Sequence, residues 1–169
     1  MTRSFCAKTV LVLSVVFIHH SLWAQDDWKE MEWKSYAIDF KVPKDFEIKE
    51  STGKIFTASG DGFTLSIQPW QDSSLTAEQV AAKAQEDLDA TDVTVTSREK
   101  VDLKGFEGYE IVGAGKQDGK AMLFAVLGFI DPHGDANFSA YILFWDDPNE
   151  NEKNIKIAEE IIEGIRKQE

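Results

Sequence analysis

Residues 121–130 read AMLFAVLGFI, and this stretch decides the fold because apolar side chains occupy both alternating sets of positions. Successive side chains of a strand point to opposite faces of its sheet. Leu127 therefore lies on one face, and Phe124 and Val126 lie on the other. Residues 141–145 (YILFW) have the same character. We predict that both strands lie in the middle of a sheet and are covered on both faces.

The remaining strands are recognised by alternation and by turn residues. Residues 36–42 alternate between apolar and polar side chains, which indicates a strand with one buried face. Gly60-Asp61-Gly62 separates two further alternating runs and favours a tight hairpin. The later strands are joined by short turns, which is typical of antiparallel neighbours. We predict these later strands at residues 93–103, 106–115, 120–130 and 137–145.

Two helices are predicted from their capping residues. In residues 75–80 (LTAEQV), Thr76 and Gln79 form a capping box, so a helix begins here and runs to about Asp89. Residues 147–150 (DPNE) open a second helix, with Asp147 as its cap. Arg166 and Lys167 are expected at the C-terminal end of this second helix. Its predicted buried stripe consists of Ile155, Ala158, Ile161, Ile162 and Ile165.

The first residues have the pattern of a secretory signal peptide. Arg3 and Lys8 precede the apolar run 10–18, and Ala24 provides a small residue for cleavage. We predict a signal peptide over 1–24 and a single domain over 25–169, whose residues 25–32 form a short N-terminal arm. The chain is then exported to the periplasm or the extracellular space of a bacterium, without membrane insertion once the leader is removed.

The composition disfavours several classes of function. Cys6, the only cysteine, lies in the predicted leader, so the exported chain has no disulfide, catalytic thiol or cysteine metal ligand. The formal net charge is −12 at pH 7, and it becomes more negative when Arg3 and Lys8 leave with the leader. A field of this sign repels phosphate backbones, so we expect no nucleic acid partner.

Two loops carry candidate metal ligands. Asp131, His133 and Asp135 offer a histidine between two carboxylates, and His133 is also a candidate general base. Residues 146–152 offer oxygen ligands for calcium without the EF-hand spacing. Turn formation explains the first loop and helix capping the second. We therefore predict no catalytic residue, metal or cofactor, and leave metal binding at the Asp131 turn open.

Three tryptophans and one methionine are the candidate contacts for a partner or ligand, provided that their side chains are exposed. Trp28, Met31 and Trp33 precede the first predicted strand, and Trp70 follows Pro69 at a strand end. Tryptophan is enriched in binding hot spots. The alternative is that Trp28 and Trp33 fold back and close one end of the core, and this is the outcome we favour.

Residues 36–46 (YAIDFKVPKDF) resemble the opening of PsbP-like and Mog1-like proteins and of the bacterial DcrB-type envelope proteins. The hairpin at residues 60–62, the capped helix and the terminal helix fit the same order of elements. The resemblance implies an α+β fold, an α/β/α sandwich with a central, mostly antiparallel, twisted sheet and helices covering both faces. It also implies an accessory or docking role, and no functional residue of the family has a motif that matches here.

These observations favour an exported, non-enzymatic accessory or docking protein that binds an envelope protein or complex. A module that binds a small apolar ligand is the first alternative, with a pocket lined by Gly108, Gly113 and Gly128. A hydrolase that uses acidic residues and His133 is the second alternative. The sequence offers no nucleophile and base together for it.

Overall fold

The computed structural model describes residues 27–60, 62–70, 72–134, 136–145 and 151–168. The predicted signal peptide and the predicted cap at Asp147 lie outside these residues. The strands are β1 (Trp28–Trp33), β2 (Ile38–Pro43), β3 (Glu47–Ser51), β4 (Phe56–Gly60), β5 (Phe63–Trp70), β6 (Thr91–Leu103), β7 (Phe106–Gln117), β8 (Lys120–Ile130), β9 (Asn137–Trp145) and β10 (Arg166–Lys167). The helices are α1 (Ala77–Glu86) and α2 (Asn151–Gly164).

The strands form two sheets. The larger sheet has the order β3-β4-β5-β9-β8-β7-β6, and each strand is antiparallel to its neighbours. The smaller sheet has the order β1-β2-β10 and is also antiparallel. The hairpin predicted around residues 60–62 is confirmed, because Gly60 of β4 pairs with Phe63 of β5.

The central strand β8 is covered on both faces, as its apolar sequence predicts. Phe124 and Val126 pack with Ala81 and Ala84 of α1 on one face. Leu127 belongs to the core of the opposite face. All five residues are at most 1% exposed. The larger sheet therefore separates two hydrophobic cores.

The expectation that helices cover both faces is correct only in part. The structure is mostly antiparallel sheet with two helices, but α1 covers one face of the larger sheet, whereas β1–β2–β10 and α2 together cover the other. Alternation reveals that a strand has one buried face. It does not reveal into which sheet that strand pairs, since pairing is a long-range choice.

The predicted N-terminal arm is wrong over most of its length. Trp28–Trp33 forms strand β1 and pairs with β2 along its whole length, from Trp28 opposite Pro43 to Trp33 opposite Ile38. The polar side chains of Lys29, Glu30 and Glu32 hide this strand from a pattern analysis.

The helix predictions succeed where local signals exist. Thr76 caps α1 and forms the expected capping box with Gln79, although the helix ends at Glu86, before Asp89. The predicted stripe of α2 is buried except at Ile155, which is 42% exposed. Arg166 and Lys167 do not extend α2. They form β10 beside β2. In the part of the chain that the structure describes, neither helix is long and apolar enough to cross a membrane.

Candidate docking site

The four sequence-predicted contact residues have different surroundings. Trp33 is 1% exposed and donates a hydrogen bond from Nε1 to the carbonyl oxygen of Thr52 at 2.6 Å. Its ring centroid lies 4.6 Å from that of Tyr36, in an edge contact. Trp33 therefore closes one end of the core and offers no free surface to a partner.

Trp28 and Met31 remain half-buried on the edge strand β1. The ammonium group of Lys41 lies 4.8 Å from the ring centroid of Trp28, in a cation–π contact. Lys41 is itself held by Glu160 of α2 at 3.0 Å. The indole is thus positioned by the fold although part of it faces solvent.

Trp28 forms one wall of a groove of about 360 Å³ between the smaller sheet, the β2–β3 turn and α2. Phe46 and Phe63, 2% and 4% exposed, are core residues that form the floor beneath the groove, and the partly buried Ile157 adds apolar surface from α2. These residues come from four segments that are far apart in the sequence. Of these residues, only Trp28 was predicted from the sequence as a contact residue, because no local pattern of residues predicts that the others come together.

The rim of the groove carries charges of both signs. Lys44 and Lys153 provide ammonium groups, and Asp27 and Asp45 provide carboxylates. The β2–β3 turn that carries Lys44 and Asp45 is held in place by the ammonium group of Lys29, which donates to the carbonyl oxygens of Lys44 and Phe46. An apolar floor inside a charged rim has the same organisation as the centre and rim of a protein–protein interface.

Trp70 lies away from this groove. It is half-buried and lines a separate cavity of about 350 Å³ with Gln68, Pro69 and Asp72. Phe63 and Trp70 are the first and last residues of β5, so a strand of roughly 23 Å separates the two surfaces. The structure therefore does not bring the candidate tryptophans into one site.

Residues 131–134 form a hydrogen-bonded turn, in which the backbone N–H of Gly134 donates to the carbonyl oxygen of Asp131 at 3.2 Å. Asp131 Oδ1 accepts a hydrogen bond from the backbone N–H of His133 at 3.0 Å, and Asp131 Oδ2 lies 2.5 Å from the ammonium of Lys167. Burial opposes ionisation of Asp131, but these two contacts outweigh it and hold the pKa of the carboxyl below its usual value. Asp135 lies outside the described residues. Among the residues the structure does describe, no group of three or more His, Cys, Asp or Glu is arranged to hold a metal ion.

Two of the three glycines proposed to hollow a pocket, Gly113 and Gly128, instead allow close packing. A Cβ at Gly128 would lie 2.5 Å from the backbone nitrogen of Ala81, and a Cβ at Gly113 would lie 2.5 Å from the ring of Phe124. Helix α1 and Phe124 occupy the space above these two glycines. The expected pocket on this face is therefore not formed at Gly113 or Gly128.

A larger cavity of about 640 Å³ lies between the first turn of α1 and the β6–β7 hairpin. Its lining includes charged side chains and also apolar or aromatic ones, among them Gly108, which the sequence analysis proposed as a pocket residue. The charged residues are Glu78, Lys100, Asp102 and Glu107, and the apolar or aromatic ones are Ala77, Val101, Phe106, Gly108 and Tyr109. Its charged side chains provide ion-pairing groups for a polar ligand. A smaller share of its lining is apolar than in the groove at Trp28, and small-molecule sites are lined mostly by apolar surface.

The chain matches no protein-family model and no curated protein in sequence. Its structure is similar to that of the Ran-binding protein Mog1p of Saccharomyces cerevisiae, with a TM-score of 0.58, 13% identity, and coverage of 82% of this chain and 94% of Mog1p. It is also similar to the cyanobacterial PsbP (CyanoP) of Synechocystis sp., with a TM-score of 0.58, 8% identity, and coverage of 82% and 91%. LpqN, involved in cell envelope biogenesis of Mycobacterium tuberculosis, matches with a TM-score of 0.53, 15% identity, and coverage of 82% and 89%. The chain therefore has a Mog1/PsbP-like fold, which confirms the resemblance seen in the sequence.

Proposed function

We propose that this chain is an exported, non-enzymatic accessory protein that docks on a protein of the cell envelope through the groove at Trp28. We also propose that the fold is a sandwich of the α/β/α type, in which β1–β2–β10 and α2 together form one outer layer. The occupant of the groove is an apolar side chain of the partner, flanked by charged residues. The observation that carries the proposal is the half-buried Trp28 over the apolar floor of Phe46, Phe63 and Ile157.

The arrangement of the groove is better suited to binding a partner than the His133 turn is to catalysing a reaction. A tryptophan wall and a desolvated apolar floor are typical of the residues that dominate interface energies. The carboxylate of Asp131, the natural partner for His133 in a hydrolase, is instead engaged by Lys167. Among proteins of this fold, Mog1p is a Ran-binding protein and LpqN is involved in cell envelope biogenesis. Their likeness concerns the fold alone, so the docking role rests on the groove.

The experiment compares capture of envelope proteins by the wild-type chain and by matched tryptophan variants. Wild type, Trp28→Ala and Trp70→Ala are expressed in the exporting cell, crosslinked mildly and analysed by quantitative mass spectrometry. We expect one partner that is retained by Trp70→Ala and lost with Trp28→Ala. Affinity for the purified partner should then fall by roughly 30-fold in Trp28→Ala, as for an interface hot spot. The proposal is contradicted if the wild-type chain captures no partner, or if the partner is lost only in Trp70→Ala.

Export is part of the proposal and has its own test. N-terminal sequencing of the protein purified from its host should begin at Gln25, after cleavage at Ala24. A mature chain that still begins at Met1 would contradict export by this leader.

A small apolar ligand is the second candidate occupant, since the groove volume reaches the lower end of the range for ligand cavities. Native mass spectrometry distinguishes the two. A ligand that co-purifies with wild type and is lost in Trp28→Ala favours the ligand, whereas a bare mass favours the docking role.

A further inference from the structure

Part of the larger sheet extends beyond helix α1, whose main contacts are with β7, β8 and β9. Tyr141 and Leu143 of β9 pack against the core beneath this helix, so they mark the α1 side of the sheet. On this side, alternate residues of β5 and β9 are half-buried or exposed. We call this surface the open face. It consists of Thr64, Ser66 and Gln68 of β5 and Tyr141, Leu143 and Trp145 of β9.

The open face carries no formal charge. None of the strands β4, β5 and β9 contains an Asp, Glu, Lys or Arg residue. The whole chain, by contrast, is 28% charged and has a net charge of −12 at pH 7. Nucleic acids and anionic membrane surfaces are bound through Lys and Arg, which this face does not offer. We therefore expect a ligand of the open face to be uncharged.

Hydroxyl and amide groups occupy half of the open face. Thr64 stands directly opposite Leu143, and Ser66 directly opposite Tyr141, so polar and apolar groups lie side by side. Gln68 donates from Nε2 to the hydroxyl oxygen of Tyr141 at 3.4 Å. Hydroxyl and amide groups both donate and accept hydrogen bonds. Sugar hydroxyls do the same, so either partner can supply the proton.

The aromatic rings of Tyr141 and Trp145 provide stacking surfaces. The two residues lie on the same face of β9, four residues and about 14 Å apart. Trp145 is 37% exposed. The electron-rich face of an aromatic ring attracts the C–H groups that line one side of a pyranose ring. Serine and threonine are under-represented among the hot spots of protein interfaces, so rings set among hydroxyl groups favour a sugar over a protein.

We propose that the open face binds an uncharged, extended polysaccharide chain that lies along β9. Its sugar rings stack on Tyr141 and Trp145, and its hydroxyl groups bond to the polar side chains of β5. A face built along one strand accommodates an extended β-1,4-linked chain better than the curved chain that α-1,4 linkages produce. The open face is separate from the groove at Trp28, because Phe63 of that groove lies on the opposite face of β5 from Thr64.

Isothermal titration calorimetry with defined oligosaccharides tests this site. The probes are cellohexaose and chitohexaose, uncharged β-1,4-linked chains of glucose and of N-acetylglucosamine, and maltohexaose is the α-1,4-linked control. We expect one or both β-linked probes to bind more tightly than maltohexaose, and the tighter of the two identifies the kind of sugar. Trp145→Ala should lower the affinity roughly 10-fold, whereas Trp145→Phe keeps a ring and should retain most of it. Ile155→Ala, an exposed apolar change on α2, should behave like wild type.

Thr64→Val keeps the proposal testable if Trp145→Ala does not fold, because it removes a hydroxyl group and preserves the shape of the side chain. This variant should lower the affinity roughly 5-fold, the effect of one lost hydrogen bond. The proposal is overturned if neither β-linked probe binds the wild-type chain, if maltohexaose binds as tightly, or if neither Trp145→Ala nor Thr64→Val weakens binding. Loss of a captured protein in Trp145→Ala, without binding of either probe, assigns the open face to a protein and overturns it as well. The calorimetry involves no docking partner, so this site and the docking role fail separately.

Discussion

The main chain of Ala81 in α1 passes directly over Gly128 of β8, with its amide nitrogen 2.5 Å from the position that a Cβ on residue 128 would occupy. The contact involves backbone on both sides, so neither partner can rotate away. The absence of a side chain at Gly128 therefore sets the distance between α1 and the larger sheet.

Gly128→Ala should force α1 away from the sheet and disturb the core that contains Phe124 and Val126. We expect a loss of about 3 kcal/mol in the free energy of unfolding, measured by urea denaturation, as for an overpacked core. Gly53→Ala is the matched control, since the nearest atom to its added Cβ is 3.9 Å away. Equal stability of the two variants would contradict the close approach.

Thr76 fixes the start of α1. Its hydroxyl oxygen accepts a hydrogen bond from the backbone N–H of Gln79 at 3.2 Å, and the Gln79 side chain accepts one from the backbone N–H of Thr76 at 3.0 Å. Thr76→Ala should destabilise the protein by about 1 kcal/mol. Thr76→Ser keeps the acceptor and should recover most of that loss in the same denaturation experiment. Identical destabilisation by both variants would argue against the cap.

Asn137 connects β9 to the loop before α1. It is 4% exposed, and its amide donates to the carbonyl oxygens of Asp72 and Leu75 at 3.0 Å each. Asn137→Ala leaves both acceptors without this donor and should cost about 1 to 3 kcal/mol. Thr96→Ala, which removes an exposed hydrogen bond to Val112, should change stability by less than about 0.5 kcal/mol. Comparable losses in the two variants would be evidence against this connection.

The buried Glu110 should make stability fall as pH rises. Burial, followed by repulsion from Glu99 and Glu159, raises its pKa from the ordinary 4.5 to about 7, so the native state binds the proton more tightly than the unfolded state. The resulting stability is present at low pH and is lost as pH rises through 7. Between pH 5 and pH 8 we expect a decrease of about 2 to 3 kcal/mol in the free energy of unfolding. In Glu110→Gln, urea denaturation should show that this part of the decrease is absent. If the free energy of unfolding depends on pH as strongly as in wild type, the prediction is contradicted.

The carboxylate of Asp131 should make stability rise as pH rises, and it should do so at lower pH than Glu110. Its pKa lies below the ordinary 3.8 because the contacts with Lys167 and with the His133 backbone outweigh burial. The stability that the Asp131 carboxylate contributes is present above pH 3.8, its ordinary pKa. This stability is lost as pH falls through the lower pKa of the native state. A double-mutant cycle of Asp131→Asn and Lys167→Met should give a coupling of at most about 1 kcal/mol at pH 7. Coupling that persists unchanged at pH 2 would show that the pair is not ionic.

Several features of this fold are determined by short stretches of sequence. The capping box of Thr76 and Gln79 predicts the start of α1, because all its hydrogen bonds lie within one helical turn. The two-sided apolar pattern of β8 predicts its burial on both faces, because alternation is a property of the strand itself. Both predictions depend only on neighbours in the chain.

Other features were decided only by the tertiary structure. Trp28–Trp33 and Arg166–Lys167 become strands because each lies beside β2, although the two segments are at opposite ends of the described chain. The groove that joins Trp28 with Phe46, Phe63 and Ile157 has the same origin. Such contacts arise when distant segments pack on a common core. Their energies therefore depend on burial and on neighbours that no local pattern of residues reveals.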